Sequence, residues 1–331
     1  MRNVVIILLV FFQAGLHAGE IPANSTLRPV HTYSIVARDP DTGQLGVAVQ
    51  SHWFSVGALV PWAEAGVGAV ATQSFIDVRY GAEGLERMRA GASAQEALDA
   101  LLKADPTPEV RQVALLDARG RIAQFTGKQC IQHAGQYAGD NFAVQANLMV
   151  RDGVPEAMAT AYRAAQGSLA ERLLAALEAA QAIGGDLRGK QSAAILVVRG
   201  KATGKAWKDR LVDLHIEDHA TPLKELRRLL TLNTAYHHMN LGDHALEQNH
   251  VDAALLHYGK AEALAPDNLE MKFWHAVSLV NAGRVQDSLP LFAAVFAADD
   301  NWRQLVSRLV AAGLLTADPA AVERIVNVTA K

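Results

Sequence analysis

The densest group of polar side chains in this sequence is Asp186, Arg188, Gln191 and Ser192, set between Gly184-Gly185 and the apolar run Ala193 to Val198. Loops that lead into strands are common places for binding sites. A guanidinium such as that of Arg188 grips a carboxylate through two parallel hydrogen bonds. The group is therefore read as substrate-binding. The alternative is a solvated turn with an internal Asp186–Arg188 pair.

Other apparent motifs carry less chemistry. Ser51-His52 invites a hydroxyl–imidazole reading, but neighbours on a strand point to opposite faces. His215, Glu217 and His219 share one face of a presumed strand, alternating with Leu214 and Ile216 as a half-buried strand requires. No metal is expected there. His237, His238, His244, His250 and His257 crowd the C-terminal third without i, i+4 spacing and read as solvated helix residues. Gly200 to Lys205 lacks the hydroxyl and full spacing of a phosphate loop. The single cysteine, Cys130, excludes an intrachain disulfide. Asn24-Ser25-Thr26 and Asn327-Val328-Thr329 match a glycosylation pattern that is frequent by chance.

The elements that must position these groups follow from patterning. Thr32 to Arg38 and Leu45 to Ser51 read as a hairpin around Asp39-Pro40-Asp41-Thr42-Gly43, a cluster of turn formers. Gly66 to Gln73 is a strand-like run whose small residues imply close neighbours. Helices are expected over 82–89 and from Ser93, where Glu96 gives the capping-box spacing. Val110 to Leu116 and Ile122 to Thr126 form a second hairpin pattern, and Asn141 to Val150 another strand. Helices over 155–166 and 169–183 follow, the second opened by Ser168 and Glu171, before strands over 193–198 and 211–216. Blocks of strands alternating with pairs of helices suit two stacked sheets with helices outside, not a doubly wound parallel fold.

From about Thr221 the pattern is wholly helical. Leu241-Gly242, Ala254, Tyr258, Ala261 and Pro266 fall at offsets resembling the tetratricopeptide signature. A shift of 34 residues reaches Ala276, Ser288, Phe292, Val295 and Asp300, a weaker second copy. Stacked repeats rely on neighbours, so this tail is expected to pack on the first domain or on a protein partner.

The chain has 331 residues, half of them apolar, and a formal net charge of -3 with interleaved signs. Without a basic stripe, nucleic acid is not an expected partner. Arg2, the apolar run Val4 to Phe12 and small residues up to Ala18 fit a signal peptide. The run is shorter than the roughly 20 residues a spanning helix needs. The expected division is a signal peptide over 1–18, a spacer or propeptide over 19–31, an α/β domain over 32–220 and a helical region over 221–331. Export to the periplasm or beyond follows, with no stable membrane insertion after signal cleavage.

Thr32 to Pro40 and Gly46 to Ser51 resemble an uncharacterised bacterial and archaeal family assigned to the N-terminal-nucleophile hydrolase superfamily. Gly66 to Gln73, Arg79-Tyr80-Gly81, Val110 to Gly127, Val144 to Asn147 and Gly185 to Ala194 extend the resemblance over about 32–230. It implies a four-layer αββα sandwich, an α+β fold, with the repeat tail appended. It also implies that a Thr, Ser or Cys at the start of an inner strand attacks a carbonyl while its own α-amine acts as base. Thr32 matches that position. By position alone Thr32 is a β-branched residue opening an edge strand. The chemistry requires the His31–Thr32 bond to be cut, and signal-peptide removal near Ala18 leaves 19–31 in the way.

Ser34 shares a strand face with Thr32 and is a second catalytic candidate beside the plain reading of a half-buried strand serine. A tetrahedral intermediate needs fixed donors for its oxyanion, and Thr72-Gln73 and Asn147 are the candidates through side-chain or backbone amides, each weighed against a structural amide; Gln73 is also counted with the substrate-binding residues. The expected function is hydrolysis of a small amide or peptide-like substrate, without cofactor or metal. The alternative is a non-catalytic binding protein whose tail recruits a protein or cell-wall partner. A third reading has the tail mediate a homo-oligomer.

Overall fold

Residues 32–329 are described by the computed structural model. The leader and spacer expected over 1–31, with the Asn24 acceptor, lie outside the described residues. The first hairpin pairs β1 (Thr32–Arg38) with β2 (Leu45–Ser51), at the limits the turn formers mark. The Asp39 carboxylate accepts from the amides of Asp41 and Thr42 and from the Thr42 hydroxyl, and Gly43 takes a φ of 72°. That is an Asx-turn completed by the residue best able to adopt a left-handed backbone.

β3 (Pro61–Glu64) and β4 (Gly68–Ser74) follow, then the helices α1 (Arg79–Arg89) and α2 (Ala94–Ala104). Next come β5 (Arg111–Asp117), β6 (Ile122–Thr126), β7 (Gly135–Gly139) and β8 (Phe142–Ala146). α3 (Val154–Ala164), α4 (Leu169–Ala182), β9 (Ser192–Val198), the short α5 (Ala206–Asp209) and β10 (Arg210–Ile216) complete this part. Both expected capping boxes form, at Ser93 with Glu96 and at Ser168 with Glu171.

The strands make two antiparallel sheets, ordered β10-β9-β2-β1-β8-β7 and β3-β4-β5-β6. Strand alternation explains how they stack. Val36, Val47 and Val49 of the larger sheet meet Ala69, Ala71 and Ala114 of the smaller in one core. Tyr33 and Ile35, on the opposite face of β1, are covered by Met158 of α3 and Leu173 and Leu177 of α4. Val70, Val113 and Leu115 are covered by Leu85 of α1 and Leu98 of α2. The close approach implied by the small residues of β4 is explicit at Gly68, where a Cβ would stand 2.6 Å from the Leu116 carbonyl oxygen.

Two strands depart from the sequence reading. The stretch with Pro61 and Trp62, where the patterning marks no strand, forms the edge strand β3, where a proline costs no ladder hydrogen bond. Asn141 to Val150, read as one strand, ends at Ala146, and its partner β7 is a glycine-bounded, partly exposed edge.

The helical region comprises α6 (Pro222–Glu247), α7 (Val251–Leu264), α8 (Leu269–Asn281), α9 (Val285–Ala298), α10 (Asn301–Ala311) and α11 (Pro319–Val326). α6 serves two cores. Leu223, Leu226 and Leu230 join the core under the larger sheet, while Ala235 and Met239 pack with Ala254, Tyr258 and Ala261. A Cβ on Gly242 would lie 2.8 Å from the Tyr258 ring, so the small residue sets the α6–α7 spacing. His238 and His257 are half-buried and meet across that interface, Nδ1 to Nδ1 at 3.1 Å, rather than standing solvated. No helix among the described residues is long and apolar enough to cross a membrane.

Candidate active site

Thr32 opens β1, an inner strand of the larger sheet, and lies opposite Ser51, which in turn lies opposite Ser192 on β9. Strand alternation puts Thr32 and Ser34 on the face turned toward the smaller sheet. The Thr32 hydroxyl donates to Ser51 Oγ at 3.2 Å. Its carbonyl oxygen accepts from Gln73 Nε2 and from the Asn147 backbone amide, both at 3.1 Å. The head of β1 is thereby tied to both sheets.

The space between the sheets at this end is filled by amides and hydroxyls. The Ser34 hydroxyl donates to Gln73 Oε1 at 2.7 Å and lies 3.3 Å from Gln145 Nε2. Gln112 sits at the centre: its Oε1 accepts from Gln73 Nε2 at 2.7 Å and from Asn147 Nδ2 at 2.8 Å. Its own Nε2 faces Thr126 Oγ1 and the carbonyls of Gly135 and Ala146 at 3.0–3.2 Å. Gln145 Nε2 reaches the Ala71 carbonyl of the other sheet at 3.1 Å. Thr32, Ser34, Ser51, Gln73, Gln112, Gln145 and Asn147 are all fully buried. Buried polar groups are tolerated when each finds a partner, and this layer satisfies that condition largely from within.

The structure thus brings Thr32, Ser34, Gln73 and Asn147 into one network, with two glutamines that sequence reasoning passed over. Gln145 is the one polar side chain of β8, and Gln112 directly precedes the apolar run Val113 to Leu116 of β5; that placement is the signal available in the sequence. Both side-chain amide hydrogens of Gln73 are used, on the Thr32 carbonyl and on Gln112 Oε1.

Asp186, Arg188, Gln191 and Ser192 line the adjoining loop but engage mostly one another and the backbone. The buried Asp186 carboxylate accepts from the amides of Arg188 and His52 and is gripped by the Arg188 guanidinium, Nη2 to Oδ2 at 2.8 Å. The internal Asp186–Arg188 pair is thus present, with Asp186 buried rather than solvated. Gln191 links β2 to the loop after β10 through its main chain, its amide on Ser51 O and its carbonyl taking the His219 amide. Ser192 Oγ donates to the Trp53 carbonyl and accepts from the Val56 amide.

Electrostatics favour neutral groups here. Burial, then the charge of Asp186, pushes the Tyr33 phenol well above its ordinary range. Burial also pushes the Cys130 thiol up, which disfavours the thiolate a cysteine nucleophile needs. His215 pairs with Asp213 at 2.9 Å. No group of three or more metal-ligating side chains occurs among the described residues.

A family model described as a family of unknown function, DUF1028, matches residues 32–226. A crystal structure of a protein from Silicibacter pomeroyi, assigned to the same family model, is 29% identical to this chain with a TM-score of 0.55. That likeness covers 62% of this chain and 89% of the other. No curated protein matches.

Proposed function

We propose that this chain, which belongs to the DUF1028 family of unknown function, is an exported hydrolase of a small amide or peptide-like substrate. Its two stacked sheets and flanking helices are read as an αββα sandwich of N-terminal-nucleophile type, and its tail as tetratricopeptide-like. The observation that carries the reading is Thr32: its hydroxyl lies on the inter-sheet face at the head of an inner strand, against Ser51, with its carbonyl held by Gln73 and Asn147.

In this reading the Thr32 hydroxyl oxygen attacks the substrate carbonyl carbon and its proton passes to the Thr32 α-amine. Asn147 supports the oxyanion, and the proton then goes to the leaving amine. Water hydrolyses the resulting ester and restores the threonine. An unperturbed α-amine has a pKa of about 8, so near neutrality a useful fraction is already a base. The peptide bond before Thr32 must first be cut.

Two measurements test this. Mass spectrometry of protein recovered from its native compartment should find Thr32 as the first residue. Thr32→Ala should lower amide hydrolysis by about a thousandfold or more, with Thr32→Ser retaining part of it. Full activity in protein that keeps residues upstream of Thr32 would falsify the mechanism. A second reading, a non-catalytic protein on the same scaffold whose tail recruits a partner, is supported by the Ser34, Gln73 and Gln112 contacts, which are internal to the network. It expects no hydrolysis by any form of the chain.

A further inference from the structure

β1 runs seven residues, so Arg38 stands about 20 Å from Thr32 at roughly 3.3 Å per residue. At that far end an open cleft of about 740 Å³ lies between the Asp39–Asp41 turn, the β7–β8 hairpin and the junction of α3 with α4. Its size falls within the roughly 300–1,000 Å³ usual for small-molecule sites. Nothing in the Thr32 reading uses it.

The cleft is lined by charges held in place from behind. The Arg163 guanidinium lies 5.3 Å from the Tyr137 ring centre and donates to the Tyr137 hydroxyl at 2.9 Å, but meets no carboxylate among the described residues. Among the described residues the Arg38 side chain donates to neutral acceptors, the Ala118 carbonyl and Asn141 Oδ1. Arg172 is paired with Asp39, yet its Nε is buried without a hydrogen-bond partner among the described residues. Asp41 and Asp140 stand exposed on the same lining and enter no ion pair among the described residues.

With Arg172 and Asp39 offsetting each other, two guanidiniums and two carboxylates remain, which matches a ligand carrying both signs. From this we infer that the cleft binds a zwitterion, an amino acid or short peptide with free ends. Its carboxylate lies on Arg163 and Arg38, and its ammonium faces Asp41 and Asp140. Planar, ring-backed guanidiniums favour a carboxylate through paired hydrogen bonds. The inference is independent of the Thr32 chemistry.

Calorimetric titration of the full chain with the dipeptide Ala-Ala tests it. One saturable site per chain is expected, weakened at least tenfold by C-terminal amidation, by N-acetylation and by Arg163→Gln. Asp140→Asn should weaken the free dipeptide but leave the N-acetylated form unchanged. Absence of saturable binding, equal binding of either blocked form, or an unaffected Arg163→Gln protein whose melting temperature is also unchanged overturns the site. Loss of binding in Thr32→Ala places the dipeptide at the other end of β1 and equally overturns it.

Discussion

At its Thr32 end β1 enters a closed layer of neutral hydroxyls and amides, whereas at Arg38 it runs out beside an open cleft lined by guanidiniums and carboxylates. Neutral polar groups can be sealed between sheets if they bond to one another, while charges that lack partners stay where water or a ligand can reach them. A single strand therefore presents two kinds of surface. In the proposed readings the first holds the reacting threonine and the second binds a ligand reversibly.

The contrast is sharpest at Gln112. Gln112→Leu keeps the approximate volume but takes one acceptor from each of Gln73 Nε2 and Asn147 Nδ2 and one donor from each of two carbonyls. A loss of roughly 3–5 kcal/mol in denaturant unfolding is expected, from several unmet groups at about 1–3 kcal/mol each. A loss below about 1 kcal/mol would show that these amides do not act as a network.

A smaller effect is expected at the charged end. Burial works to raise the pKa of Asp39, but the Thr42 amide and hydroxyl and the Arg172 guanidinium outweigh it and hold the carboxyl below its ordinary value. A folded-state pKa below the unfolded one means stability that is present above the unfolded value, near 3.9, and lost as pH falls through the lowered folded value. Asp39→Asn keeps an acceptor for the turn, should cost about 1–2 kcal/mol at neutral pH, and should flatten the acid limb of melting temperature against pH. An unchanged acid limb would remove Asp39 from that balance.

The smallest effect concerns α4, whose N-terminus borders the cleft. Ser168→Ala removes the hydroxyl that accepts from the Glu171 amide and should cost about 1 kcal/mol of stability. Hydrolysis by the wild-type and substituted chains should remain equal, since the change lies far from Thr32. A matching drop in activity would show that the two ends of β1 are coupled.

Much of the scaffold was legible before any coordinates. The first hairpin was readable because apolar runs flank an Asp-Pro-Asp-Thr-Gly cluster, and both serine–glutamate boxes because a helix start has its own local chemistry. Two of the four edge strands were harder. β3 begins with a proline and β7 is bounded by glycines, so neither shows the alternation that marks a strand packed on one face. The Asp186–Arg188 pair could be named as an alternative from the chain, but whether it forms depends on how the 186–189 turn closes.

Thr32, Ser34, Gln73 and Asn147 could be named from the chain, and the shared face of the first two follows from the two-residue period of a strand. That they form one network was decided only when the second sheet placed Gln73 and Gln112 over the head of β1. Local chemistry acts over a few residues and is written in their order. Which buried amide meets which hydroxyl depends on segments far apart in the chain, and only the packing of the two sheets brings those together.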